Sequence, residues 1–530
     1  MIGIKLLLAG VLGFGTAGAG VSSEPAPAWK QQLAIGSYSS PASLDPSDAA
    51  DSNTISVVGG LFEGLVRLDE TGKAVPGMAA GWTVSADGRT YTFTLRAGAR
   101  WSNKQPVKAS DFEYAWKNSL APASIKPTVY KLYVLENAES YNTGSLKDDA
   151  KIGVKAVDEH TLRVTLKEPL AYFPRMLAEP IFDPVYAPGA KADPGWAQRR
   201  GDLATNGPFK LMAWDESGVK LAKNADYYDA ASVHFATVRF DASTGESQAT
   251  RYGEGKLDWF DATGMDLASI LVKSAVAMDT AMEAMPSGST YYYQINLNKR
   301  PFTNLNIRKA LAMAIDRRSI GYGTPAFGFV ADGIAGAKQS FRAEVPDGAY
   351  FAEDAALARQ LLAKGLAEEG LKKLPPIAIS LNAGAHESVA KTVAAAWKRN
   401  LGVSASVKVL EWGELLKNRR EQHFDIARAG WGADYNDPAS FLTYFSSWSA
   451  DNDSGWSSPA YDAILRQANR TTDIVARNKL YARAEKQLMD NMVLLPLYYY
   501  VSNIVHRATL KQVYLDSGGS VAYTRGYFEK

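Results

Sequence analysis

The stretch Phe424-Asp-Ile-Ala-Arg-Ala-Gly-Trp-Gly-Ala-Asp-Tyr-Asn-Asp-Pro-Ala-Ser-Phe441 carries more information than any other part of the 530-residue chain. It is too polar for an ordinary buried strand and too aromatic for a plain surface loop. Arg428 and Asp434 flank Gly430, Trp431 and Gly432, where two positions without a Cβ let another backbone approach closely. Two readings stand side by side. One is a structural strand and turn, with Asp434 to Asn436 forming an Asx-turn. The other is a binding segment, in which exposed backbone and a charged pair meet a ligand.

Outward from this stretch, apolar residues recur at helical spacing over 306–320, 355–366, 387–401 and 474–489, which predicts amphipathic helices. Strand-like runs lie between them at 377–381, 403–410 and 494–500. In the N-terminal half, Tyr91, Phe93 and Leu95 alternate with threonines, and Leu162, Val164 and Leu166 repeat that period of two. A helix opens near Asp111, with Ser110 placed to cap it. Strands alternating with helices predict an α/β protein whose sheets are covered on both faces. Two tyrosine triplets, 291–293 and 498–500, sit in strand-like runs. Neighbouring strand residues face opposite ways, so half of each triplet is expected in the core and half on a cleft wall, where Tyr offers an apolar face and a polar tip.

The length is too great for one ordinary core and predicts two to four domains. With 46% hydrophobic and 22% charged residues and a formal net charge of +2, the composition is globular and argues against a nucleic-acid partner. Basic pairs such as Lys398-Arg399 and Arg419-Arg420 read as solvated helix faces. Lys5, the apolar run 6–14 and the small residues Ala17 and Ala19 read as an export signal over 1–19. Cysteine is absent, so export brings no disulfides and no acylated cysteine, and a periplasmic protein without a lipid anchor is expected. Gly13 to Gly18 matches G-x-G-x-x-G, but no strand precedes it and it lies within the signal. Asp451 to Gly455 faintly suggests a calcium loop, yet its glycine falls one position early, so it reads as a polar loop. No nucleophile elbow, phosphate loop or paired-histidine metal motif occurs. No enzyme activity, metal or cofactor is expected.

The stretch 424–441 closely resembles the signature of the bacterial periplasmic oligopeptide-binding proteins in family 5 of the extracellular solute-binding proteins. Further ordered blocks extend the resemblance along nearly the whole mature chain: Ser43-Leu-Asp-Pro46, Leu61-Phe-Glu-Gly-Leu65, Tyr91-Thr-Phe-Thr-Leu-Arg96, Ala109-Ser-Asp-Phe112, Asn206-Gly-Pro-Phe209, Tyr291-Tyr-Tyr-Gln-Ile-Asn296, Asn306-Ile-Arg-Lys-Ala-Leu311 and Pro496-Leu-Tyr-Tyr-Tyr500. The resemblance implies a two-lobed periplasmic binding protein fold of type II with an extra domain, closing on a hinge. Domain I would comprise 30–62, 187–288 and 502–530, domain II 63–186 and domain III 289–501. Peptide would lie extended in the cleft, bonded through its backbone like an added strand. A membrane permease of the ABC class would be the partner of a monomeric receptor.

Site roles carry over by position. Asp434 matches the carboxylate that pairs with the peptide α-ammonium. Arg428, Gly430 and Trp431 belong to the same segment, the arginine supporting charge and the tryptophan walling a side-chain pocket. Trp412 and Arg419 match cleft positions, Arg419 suited to a peptide carboxylate. His386 and Lys338 stand where cations meet carboxylates of peptides of different lengths. Tyr292, Tyr500 and Tyr130 match lining aromatics, and Asn382 and Asn452 match backbone contacts. Peptide receptors often carry glutamate at Gln294, an acid at Ala50 and sometimes histidine at Glu179, so the charge of this cleft is rearranged. A receptor specialised for murein peptides and, from another class, a secreted hydrolase are the competing readings.

Overall fold

The computed structural model describes residues 24–530 apart from 194, 199–202, 266–278 and 347–349. The expected export signal therefore lies outside the described residues. The strands that place the site are, in chain order, β1 (Gln32–Ser37), β2 (Ala79–Val84), β3 (Thr90–Leu95), β4 (Val154–Ala156), β5 (Thr161–Thr165), β6 (Phe209–Asp215), β7 (Gly218–Lys223), β8 (Thr237–Ala242), β9 (Trp259–Asp261), β10 (Ala281–Ile295), β11 (Ile377–Asn382), β12 (Ala405–Leu410), β13 (Ile426–Gly432) and β14 (Leu494–His506). Ten of them form one mixed sheet in the order β12-β11-β13-β10-β14-β9-β1-β8-β7-β6, and Thr324–Pro325 adds an eleventh strand beside β14. A separate antiparallel sheet runs β2-β3-β5-β4.

The local sequence explains most of these elements. In β3 the alternation puts Tyr91, Phe93 and Leu95 in the core. The helix expected near Asp111 is α1 (Ala109–Ser119), but it begins earlier than Ser110 suggests, with Lys108 in the cap position. Asp111 accepts from the Lys108 backbone N–H at 3.0 Å and from the Trp101 indole at 3.0 Å. The carboxylate three residues in, rather than the serine hydroxyl, satisfies the orphan donor at the helix start. Further along, the run over 306–320 is α-helical only as α2 (Leu305–Met313), with a separate 3-10 turn at Arg317–Ile320. α3 (Ala355–Glu369), α4 (His386–Leu401) and α7 (Ile474–Asp490) follow the expected periodicities, whereas α5 (Trp412–Arg420) and α6 (Pro459–Arg470) are helices not expected from the sequence.

β10 and β14 are the longest strands, 15 and 13 residues. They pair antiparallel over Ala281–Pro286 with 501–506, then again from Thr290 with Tyr499, and the register breaks between Pro286 and Thr290. At the break Gly288 has φ +55°, and a Cβ there would lie 1.9 Å from the Ser517 carbonyl, so only glycine fits. One half of the strand pair lies beside β9, β1 and β8, the other beside β13, β11 and β12.

The tyrosine triplet in β10 departs from expectation. Tyr291, Tyr292 and Tyr293 are all fully buried. This half of β10 is central, and hydrophobic clusters cover both its faces, Tyr292 entering one and Tyr291 and Tyr293 the other. Alternation sends side chains to two faces, but it does not make either face solvent. Tyr292 is therefore a core residue, its ring edge-on to Phe329 at 5.3 Å, not a cleft wall.

Segment 63–186 touches segment 289–501 around the turn after β13. Arg175 forms an ion pair with Asp437 at 2.9 Å and donates to the carbonyls of Ala335 and Gly336. Tyr172 stacks on Tyr435 with ring centroids 5.2 Å apart.

Candidate functional site

The stretch 424–441 folds as β13, a tight turn and the short helix Ala439–Leu442. Ile426, Ala427 and Ala429 are buried, so small and apolar residues at those positions offset the polar content that argued against a strand. The Asx-turn forms at Asp437, whose Oδ1 accepts from the Ala439 N–H at 3.1 Å, rather than at Asp434. Asp437 is fully buried, with Oδ2 between Arg175 at 2.9 Å and Arg477 at 3.0 Å. That fixed role frees Asp434 from holding the turn.

On one side β13 pairs with β10 from Ile426 to Gly432. On the other, β11 reaches it only at Ile426 and Ala427. Among the described strands none pairs with that edge over 428–432, and its backbone polar groups there form an open template for an extended chain. At about 3.3 Å per residue, Arg428 to Gly432 spans roughly 13 Å.

Asp434 stands beyond one end of this edge. Its N–H donates to Ser440 Oγ at 2.7 Å, its Oδ1 accepts from the Tyr130 hydroxyl at 2.6 Å, and its carbonyl accepts from Lys131 Nζ at 2.7 Å. Lys131 also pairs with Glu179 at 2.9 Å. Burial pushes Glu179 above the usual carboxylate range and the Asp434 charge adds to that, while Lys131 opposes both. Tyr130 is half exposed, and beside bonding Asp434 it lies within electrostatic reach of Glu179 and Asp451. Neither Lys131 nor Arg175 stood out in the sequence, because their partners lie about 300 and 260 residues away.

The other end is cationic and aromatic. The Arg428 guanidinium lies 5.4 Å from the Tyr291 ring and 5.6 Å from the half-exposed Trp412 ring, a cation–π arrangement. His386, at the start of α4, stacks on Tyr291 at 5.6 Å. Burial, and then the Arg428 charge, hold His386 below the usual histidine value. Arg428 Nε, His386 Nδ1 and Asn382 Oδ1 are buried and make no hydrogen bond within the chain. Such groups need an external partner or water. Tyr500 packs against Tyr498 and Tyr291 at 5.2 and 6.1 Å. A Cβ at exposed Gly430 would sit 3.6 Å from Arg428 Nη2 and 3.8 Å from the Tyr500 hydroxyl, so the glycine leaves both uncovered.

Other expected contacts sit elsewhere. Arg419 is buried, neither a solvated helix residue nor free for a ligand. It pairs with Asp453 at 2.9 Å and donates to the Tyr444 hydroxyl at 3.0 Å. Gln294 donates to the same Asp453 at 2.6 Å, so the rearranged charge is settled internally. Asn452 holds its own loop, donating to the carbonyls of Phe445, Ser446 and Trp456 and accepting from Ser454; no group remains for peptide backbone. Trp431 donates to the Ser440 carbonyl and packs on Tyr444 at 4.6 Å. Lys338 is exposed on a loop whose N–H groups bind Glu344. Among the described residues no three His, Asp or Glu could together hold a metal ion.

The family model of the bacterial extracellular solute-binding proteins, family 5 Middle, matches residues 73–453. The chain belongs to that family. Among its family 5 relatives is the oligopeptide-binding protein OppA of Bacillus subtilis, 35% identical over 544 residues, covering 99% of this chain and 98% of the relative. The periplasmic murein peptide-binding protein MppA of Escherichia coli is 34% identical over 508 residues, covering 94% and 93%. The structure of MppA described as the unliganded open form superposes with a TM-score of 0.84 at 32% identity, covering 96% and 99%. The mixed α/β architecture is thus the two-lobed type II fold of the family 5 receptors. No described helix is long and apolar enough to cross a membrane.

Proposed function

We propose that this chain is the substrate-binding component of an ABC transporter, capturing short oligopeptides in an extended conformation for uptake. The observation that carries this reading is the unpaired edge of β13, with a carboxylate at one end and, at the other, Arg428, which pairs with no described carboxylate, beside His386. A peptide added to that edge gains backbone hydrogen bonds whatever its side chains. Its α-ammonium meets Asp434 and its carboxylate meets Arg428 or His386, so it runs antiparallel to β13. The span suits roughly three to five residues. Domain I (30–62, 187–288, 502–530), domain II (63–186) and domain III (289–501) form the lobes, and the register break at Gly288 is the hinge. The receptor is exported, works in the periplasm as a monomer without a lipid anchor, hydrolyses nothing and hands its peptide to a membrane permease.

The relative named for murein peptides, whose open form superposes well on this chain, supports a murein-peptide receptor as a narrower form of the same function. Thermal shift against a pool of free tripeptides, with product analysis and mass spectrometry of copurifying ligands, tests both. Stabilisation by many peptides without cleavage is expected. No stabilisation, or clear hydrolysis, overturns the reading, and a murein peptide as sole ligand selects the narrower one.

A further inference from the structure

Lys131 is only 9% exposed, and two of its three donors are already used. One binds Glu179 Oε2 at 2.9 Å and another the Asp434 carbonyl at 2.7 Å. An ammonium so placed has little left to offer a peptide carboxylate. Its neighbour Tyr130 binds Asp434 Oδ1, and Ser440 accepts from the Asp434 N–H. The backbone of Asp434 is therefore held from both sides and its carboxylate through one oxygen, while Oδ2 makes no hydrogen bond with the described residues. Lys131, Tyr130 and Glu179 come from segment 63–186, Asp434 and Ser440 from segment 289–501. Three residues past Asp434, buried Asp437 is clamped by Arg175 of the first segment and Arg477 of the second. Arg175 also donates to the Ala335 and Gly336 carbonyls, so the two segments are in direct contact beside the amine pocket.

We propose that Lys131 is a positioning residue for amine recognition: by bridging Glu179 and the Asp434 carbonyl it assembles the α-ammonium pocket from both segments before any peptide arrives. This rests on the reading that Asp434 receives the peptide amine. A preorganised acceptor binds more tightly because its ordering cost is met in folding rather than in binding. Lys131 thereby contributes to discrimination between free and blocked amino termini without touching the ligand.

The test is calorimetry of full-length mature protein with trialanine and N-acetyl-trialanine, for wild type, K131M, K131R and K131M/E179Q. The double variant removes the neighbouring charge, so that a bare Glu179 cannot substitute for lost positioning. K131M and K131M/E179Q are expected to bind trialanine roughly tenfold more weakly and to leave the acetylated peptide where it was. K131R restores most of the loss. Circular dichroism and melting establish that each variant is folded, and Y130F supplies an independent disturbance of the same pocket, with the same expected selectivity loss, if K131M does not fold. Equal weakening of both peptides, no change in either, or no rescue by arginine overturns the proposal. A wild type that binds both peptides alike overturns the underlying amine reading, and the proposal with it.

Discussion

Replacing Asp434 with alanine separates ligand recognition from folding. The carboxylate makes one hydrogen bond within the chain, from the half-exposed Tyr130 hydroxyl at 2.6 Å, so the fold should lose only about 1 kcal/mol. In a closed cleft the loss is larger, because the peptide α-ammonium is left buried without its partner. Truncating one member of such a pair costs on the order of 2–5 kcal/mol, equivalent to roughly 30-fold to several thousand-fold in affinity. The assay is titration calorimetry with one peptide, free and N-acetylated, against wild type and Asp434→Ala. Acetylation and mutation remove the same interaction, so their effects should not add. Free peptide should weaken strongly on the variant, while acetylated peptide binds weakly to both. A coupling energy near zero, with the circular dichroism spectrum intact, would refute the assignment and make Asp434 a structural residue.

Asp437→Ala should behave in the opposite way, leaving Arg175 and Arg477 buried and unpaired; a stability loss of about 3–5 kcal/mol is expected, read as a shift of the urea midpoint by tryptophan fluorescence, and an unmoved midpoint would contradict it. Asp516 accepts from the N–H groups of Gly518 and Ser520, yet burial pushes its carboxyl up to about 6 from 3.8, with the Glu179 charge adding. A raised carboxylate pKa means that the folded state binds the extra proton, so stability present at low pH is lost as pH rises toward 6. Asp516→Asn should therefore stabilise the protein at neutral pH by up to about 3 kcal/mol and make no difference below about pH 3, and pH-dependent melts that fail to converge there would refute this. His386, held below the usual histidine value by burial and Arg428, is neutral in the empty cleft at neutral pH. Affinity for peptides whose carboxylate reaches it should rise as pH falls from about 7 to 5; a His386→Gln variant or a C-terminal amide should flatten that rise, and a steep profile in either would remove His386 from the site.

The helices were legible because their signal is local. The run over 355–366 appears as Ala355–Glu369 and that over 474–489 as Ile474–Asp490, since each turn places residues three and four apart on one face. β3 was legible for the same reason at period two. Boundaries were less so: α1 begins before Ser110 because Asp111 reaches back to Lys108, a choice between two competing caps. The open edge of β13 was hinted at by Gly430 and Gly432, but it depends on β11 ending its pairing at Ala427, which no local pattern encodes.

Sequence by itself determined the α/β class, the family and the segment where binding chemistry concentrates, because these rest on periodicity and on residue order within short windows. Only the tertiary structure decided which of the polar residues are available to a ligand. Arg419 is consumed by Asp453, 34 residues on, while Arg428, with the same charge and a similar aromatic setting, pairs with no carboxylate among the described residues and lies instead against the Tyr291 and Trp412 rings. Asp434 and Asp437 stand three positions apart, yet one is locked in an ion triad with Arg175 and Arg477 and the other keeps an acceptor open. Tyr292 is sealed in the core because its strand is covered on both faces. A charge is free or spent according to what folding brings within about 4 Å of it, and those partners come from distant parts of the chain.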